Sequence, residues 1–302
     1  MKEALSFNLT EIIPWIYVLR PKTLLASFPP IFIAGSYSFF KRGEFEYLTI
    51  GLSLTVLLLF HLAVNVINDA IDFKKGGDTS LRLGPLRMTA SGLLDSKVVL
   101  QAGILLIALA IIFSFPLILK GGWVVGFSVF IAALATYAYT GGPYPLAYIG
   151  LGELFVLLFF GFLATMLPFF IIEKTINLDI FLASFQTGLL SVSIIMVNNL
   201  RDIEEDSLTG KKTLAVRLGK NLYRSLLGVC LFLPFLLNSY WLSKPLMLGP
   251  IFSFIAFPMA CFILMGVYTN KPSQIYNKYL ALAALSNFLF GFGLSIGFIL
   301  EK

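Results

Sequence analysis

The chain has 302 residues, 58% of them hydrophobic and only 13% charged, with a mean hydropathy of +0.89. Soluble domains carry roughly a quarter charged residues, so the composition excludes an ordinary water-soluble fold and points to a bilayer. The net charge of +6 would suggest nucleic acid in a soluble protein; here it is read as topology, and no nucleic-acid partner is expected.

In chain order, residues 1–22 read as an N-terminal helix lying at the interface. No cleavable signal is evident, and Trp15 and Tyr17 stand near Arg20 and Lys22. Apolar runs of about 20 residues, the length a bilayer core requires, follow near 23–40, 48–68, 98–119, 122–141, 149–172, 180–200, 222–242, 246–268 and 279–300. As helices they satisfy their own backbones, and strand alternation that would suit a barrel is absent. The expected fold is therefore an all-α integral membrane bundle of nine transmembrane helices around a central cavity, forming a single domain over 1–302. Cys230 and Cys261 fall in apolar spans and read as plain helix residues.

The connections are short except for 69–97 and 201–221. With the N-terminus inside, the N-terminal segment, 69–97, 201–224 and 269–278 hold 16 of the 22 Lys and Arg residues. That bias places the two long loops on the cytoplasmic side of the cell (inner) membrane.

Both long loops are acidic. The first opens in NVINDAIDFKKGGD (65–78) and the second in NNLRDIEED (198–206). Asn65-x3-Asp69 matches Asn198-x3-Asp202 at a shift of 133 residues, an echo that reads as a duplicated four-helix unit with a ninth helix added. A carboxylate inside a bilayer costs about 2.5–3.5 kcal/mol even on a mild scale. A carboxylate at a helix C-terminus also opposes the macrodipole, and here the anomaly occurs twice. Asp202 and Asp206 share a helical face with Asn198, and Asp69 and Asp72 form a similar stripe with Asn65 and Asn68. Carboxylate and amide oxygens without His or Cys suit a hard cation such as Mg²⁺. Arg82 and Arg87 follow the first cluster and Lys211 and Lys212 the second, residues fit for a diphosphate.

These stretches resemble the UbiA superfamily of intramembrane prenyltransferases, which carries aspartate-rich motifs after the second and sixth of nine helices. LRPKTL (19–24), RLGPLRMTASG (82–92), YTGGPYPLAYIGLGE (139–153) and GKKTLAVRLG (210–219) are similar to the branch acting on 1,4-dihydroxy-2-naphthoate in menaquinone synthesis. The likeness covers about 15–220. The first motif is spaced Asp69-x2-Asp72-x5-Asp78, where many superfamily members have Asp-x3-Asp.

The resemblance implies that Asn68, Asp69, Asp72, Asp202 and Asp206, with Asp78 as a further candidate, hold Mg²⁺ and the diphosphate of a polyprenyl donor. Asn65, Asn198, Arg82, Arg87, Lys211 and Lys212 would grip the diphosphate. Ionisation would give an allylic cation that the naphthoate ring attacks as its carboxylate is lost. Tyr139, before Gly141-Gly142, is expected to steady that cation or to contact the diphosphate. Glu153, alone in an apolar span, is expected to orient or deprotonate the acceptor. Arg20 and Lys22 would bind the acceptor's carboxylate. The only histidine, His61, reads as a helix-to-helix hydrogen bond. A secondary transporter would place its charges near mid-span, whereas these cluster at one face. Related prenyltransferases acting on 4-hydroxybenzoate, homogentisate or haem are disfavoured by the first-motif spacing and the YTGG–GLGE stretch.

Overall fold

The computed structural model describes residues 9–75, 82–85, 87–244 and 246–302, with side chains from Ile12 onward. Among these residues every regular element is helical. Eight helical segments are long and apolar enough to cross a membrane. The elements that matter here are α1 (Leu9–Leu19), α2 (Phe28–Arg42), α3 (Tyr47–Lys74), α4 (Ser96–Gly121), α5 (Trp123–Ala138), α6 (Gly152–Glu173), α7 (Leu178–Arg201), α8 (Leu214–Leu236), α9 (Leu248–Thr269) and α10 (Tyr276–Leu300).

The positions follow the nine expected runs, but α5, at 16 residues, falls outside the eight spanning segments. At 1.5 Å per residue it spans about 24 Å, short of the roughly 30 Å hydrocarbon core. α3 departs in the other direction. It stays helical to Lys74, so Asp69 and Asp72 stand in its last turns rather than in the expected loop from 69.

The principal core joins α2, α7, α8, α9 and α10, with Ile33, Leu190, Leu227, Ile263 and Phe290 fully buried. A second cluster forms among α3, α4, α5 and α6 around Val56, Ala110 and Val129. Val18 of α1 packs with Val66 and Ala70 of α3 and Met88 beyond it. α6 and α7 come close at Gly161, where an added Cβ would lie 2.7 Å from Gly188 Cα. Around that crossing, Leu157–Leu163 widens into a π-helical segment, a feature that recurs at functional sites.

Candidate functional site

A cavity of about 220 Å³ opens where the ends of α3 and α7 meet the start of α6. Asn65, Asn68 and Asp72 line it from α3, and Asn198, Asp202, Glu205 and Asp206 from α7 and the short helix Ile203–Leu208. Lys211 ties the two acidic ends together: its Nζ lies 3.9 Å from Asp72 Oδ2 and 3.9 Å from Asp206 Oδ1. The two motifs, 130 residues and more apart in the chain, thus share one chamber.

Asp72 is 4% exposed. It pairs with Arg87 and accepts a hydrogen bond from Tyr148 Oη at 2.8 Å. Two lysines stand over the Tyr148 ring, with Lys211 Nζ 4.8 Å and Lys75 Nζ 5.1 Å from its centroid, a cation–π arrangement that holds both. Lys75 also donates to the Thr140 carbonyl at 2.8 Å. Burial holds Lys75 below the ordinary lysine range, with Lys211 adding to the effect and Asp72 opposing it. Thr140 Oγ1 donates to Asn68 Oδ1 at 2.6 Å.

At the other end Arg201 donates to both oxygens of Asp202, Nε to Oδ1 and Nη2 to Oδ2, each at 2.7 Å. The same guanidinium reaches Asn198 Oδ1 (2.9 Å) and Asn277 Oδ1 (2.7 Å). Burial raises Asp206 to about 7, the neighbouring carboxylates Asp202, Glu205 and Asp72 adding to the rise and Lys211 opposing it.

Several expected site residues stand elsewhere. Asp69 is absent from the cavity wall; it lies one residue beyond Asn68, about 100° round the helix. Its Oδ1 accepts from Thr89 N (3.0 Å) and Thr89 Oγ1 (2.8 Å), so it anchors the segment that carries Arg87. Lys22 and Lys212 are exposed and do not line the cavity. The Lys212 contribution is its backbone N–H, which donates to the Tyr148 carbonyl at 2.9 Å. Glu153 is buried one residue behind the wall, bonded to Asn199 and Tyr223. Asp78 lies outside the described residues.

Arg20, Arg82, Arg87 and Tyr139 do line the cavity. Arg20 adopts a left-handed φ of 51°, a strained conformation for a non-glycine residue that favours a positional role. Burial, and then the Glu153 carboxylate, push the Tyr139 phenol well above its ordinary range. His61 hydrogen-bonds Ser27 at 2.8 Å, the inter-segment bond expected of it. Sequence reasoning missed Thr140, Tyr148, Asn199, Arg201 and Tyr223. Thr140, Tyr148, Asn199 and Arg201 sat inside quoted motifs, but nothing in the spacing separated them from their neighbours.

A second, apolar cavity of about 100 Å³ continues from the first between α3, α5 and α6. His61, Val64, Phe155 and Phe160 line both. The channel then runs past Leu57, Val129 and Leu163 toward Ile171 at the far end of α6.

Among the described residues no three His, Cys, Asp or Glu side chains converge closely enough to cage an ion. The available donors are all oxygen, from Asn68, Asp72, Asn198, Asp202, Glu205 and Asp206. That is the arrangement Mg²⁺ favours, one or two carboxylates with phosphate oxygens and water completing the shell. The residues fit the ion as part of a metal–phosphate complex.

A helical membrane bundle with a polar chamber of opposed carboxylates and cations, opening into an apolar channel, defines an intramembrane enzyme for an amphiphilic anionic substrate. The chain belongs to the UbiA prenyltransferase family, whose model matches residues 27–288, and it is a multi-pass membrane prenyltransferase. It is similar to the 1,4-dihydroxy-2-naphthoate octaprenyltransferase of Haemophilus influenzae, at 31% identity over 94% of this chain and 96% of that one. The Escherichia coli protein of the same name is 34% identical over 75% of this chain and 78% of its own. In fold the chain matches a UbiA homolog from Archaeoglobus fulgidus solved bound to DMAPP and Mg²⁺, with a TM-score of 0.63 at 16% identity, covering 93% of this chain and 99% of that one.

Proposed function

We propose that this protein transfers a polyprenyl group from polyprenyl diphosphate to 1,4-dihydroxy-2-naphthoate, with loss of the carboxylate and release of diphosphate, giving demethylmenaquinone in menaquinone biosynthesis. The observation that carries this reading is Lys211 standing 3.9 Å from a carboxylate of each acidic end, so one diphosphate can engage both. The names of the relatives aligned over most of the chain supply the acceptor.

In this reading Asp72, Asp202 and Asp206, with Asn68 and Asn198, hold Mg²⁺ against the diphosphate. Bound there, Mg²⁺ supplies charge neutralisation at the leaving-group oxygens. Arg82, Arg87 and Lys211 hold the diphosphate itself; Arg87 exchanges Asp72 for phosphate oxygens as the substrate enters. Tyr139 and Phe155, with ring centroids 5.7 Å apart, present π faces beside the allylic carbon and keep water from the cation. The C–O bond to diphosphate breaks, the ring carbon bearing the carboxylate forms the new C–C bond, and carbon dioxide departs with its bonding pair restoring the aromatic ring. Arg20 takes the acceptor's carboxylate until that step. The isoprenoid tail follows the apolar channel past His61 and Phe160. The chamber faces the cytoplasm, the side to which the Lys and Arg bias assigns the two long loops.

Membranes containing the protein, incubated with a prenyl diphosphate, Mg²⁺ and a panel of phenolic acids, test the reading. Prenylated naphthoquinol is the expected product. Transfer to 4-hydroxybenzoate alone would overturn the acceptor assignment.

A further inference from the structure

Glu153, Asn199 and Tyr223 form a buried hydrogen-bonded triangle joining α6, α7 and α8. Glu153 Oε1 accepts from Asn199 Nδ2 at 2.7 Å and from the Tyr223 hydroxyl, while Asn199 Nδ2 also faces Tyr223 Oη at 3.5 Å. Each side chain is at least nine-tenths buried. Of the three, only Asn199 reaches the cavity wall.

The polarity of the triangle fixes which way the Asn199 amide points. Its two partners are a carboxylate oxygen and a phenol oxygen whose O–H is already donated to that carboxylate, so the amide must turn its N–H₂ toward them. Oδ1 is left facing the cavity. Behind it, Glu153 Oε2 is buried with no hydrogen-bond partner among the described residues. Gly152, Val156 and Ile195 line the same cavity with the Tyr139 hydroxyl beside Gly152, and among the described residues no side chain donates to Asn199 Oδ1. An acceptor atom in such a place costs free energy until a donor meets it.

We propose that Asn199, oriented by Glu153 and Tyr223, determines specificity by accepting a hydrogen bond from a phenolic hydroxyl of the aromatic acceptor. The inference rests on the prenyl-transfer reading and deepens it. The carboxylate end of the acceptor belongs to the cationic mouth at Arg20, so the hydroxyl met by Asn199 is the one remote from that carboxylate. Glu153 is thereby a positioning residue: it touches no substrate and acts by denying Asn199 the flipped amide.

The test compares 1,4-dihydroxy-2-naphthoate with 1-hydroxy-2-naphthoate, which keeps the hydroxyl that activates the attacked carbon and lacks the remote one. Where the second compound is not turned over, its affinity is taken from competitive inhibition. The wild-type chain is expected to favour the dihydroxy compound at least tenfold. Asn199→Leu should abolish that preference by weakening the dihydroxy compound alone, leaving the affinity for the monohydroxy compound and the KM for the prenyl diphosphate within about threefold. Glu153→Gln, whose amide can accept either Asn199 orientation, should cut the preference at least threefold through KM with less change in kcat, and Glu153→Asp should restore part of it.

Equal losses for both compounds, or a preference that survives in both variants, would overturn the proposal. The monohydroxy compound also serves as the control for folding. If Asn199→Leu fails to accumulate, the ratio in Glu153→Gln decides by itself. A wild-type chain that prenylates no phenolic acid sinks the functional reading, and this inference with it; an active one with unchanged ratios sinks only the role of Asn199.

Discussion

Replacing Asp72 by Asn separates the catalytic demand on this carboxylate from its structural one. The carboxylate is buried against Arg87 and lies 3.9 Å from Lys211. Removing one member of a buried pair costs about 3–5 kcal/mol. The amide retains the Tyr148 bond and Lys211 retains Asp206 at 3.9 Å, so the lower end, ~3 kcal/mol, is expected for the ligand-free protein. Loss of one charged group from the diphosphate complex should cost turnover a further ~10²–10³-fold, the scale for removing one preorganised electrostatic contact. Thermal unfolding in detergent, with and without Mg²⁺ and a prenyl diphosphate, tells the two effects apart. Ligand at 100 times Kd stabilises the wild type by about 2.7 kcal/mol, and that increment should vanish in Asp72→Asn. Asp69→Asn should behave in the opposite way, because its carboxylate holds Thr89 rather than the cavity. It should lose ~1–3 kcal/mol of stability and keep the ligand-induced increment. Turnover above a third of wild type in Asp72→Asn, or an intact increment there, would refute the reasoning.

Three other outcomes are expected. Asp206 retains its proton up to about pH 7. The stability of its neutral form is fully present below the ordinary aspartate range and lost as pH rises through 7, whereas a cation needs the anion. The Mg²⁺ concentration for half-maximal rate should therefore rise up to ~tenfold per pH unit below 7 and level off above it; a flat profile from pH 6 to 8 would contradict this. Tyr148→Phe removes the bond to Asp72 and keeps the ring beneath Lys75 and Lys211, so kcat/KM should fall about three- to tenfold, while Tyr148→Leu should fall further as the cation–π contacts go as well. Gly161→Ala sets a methyl 2.7 Å from the Gly188 Cα, which only separation of α6 and α7 can relieve. An overpacking loss of ~1–3 kcal/mol should appear as a lower unfolding temperature in detergent.

Much of the molecule was legible in the chain. Hydrocarbon accepts only backbones that satisfy themselves, so apolar run lengths alone place the helices. The same demand makes Asp72, Asp202 and Asp206 conspicuous, and their oxygen-only chemistry suggests the cation. The Lys and Arg bias suggests the side of the membrane. Periodicity also groups Asn198, Asp202 and Asp206, and all three do line the cavity. What a one-dimensional pattern lacks is the direction in which a helical face turns. Asn65, Asn68, Asp69 and Asp72 read as one stripe, yet the packing of α3 sends Asp69 to Thr89 and the other three to the chamber. Glu153 looked like an acid awaiting a substrate, and the approach of α7 and α8 placed Asn199 between it and the cavity, with Tyr223 beside it.

The sequence by itself determined that this is a helical membrane protein with two acidic helix ends on one side, because the cost of burying polar groups in lipid depends on residue type and run length alone. Only the tertiary structure decided that those ends meet across Lys211, that two lysines stand over Tyr148, and that Asn199 turns its N–H₂ to Glu153. Each of these depends on distances between residues far apart in the chain, and helix packing sets those distances.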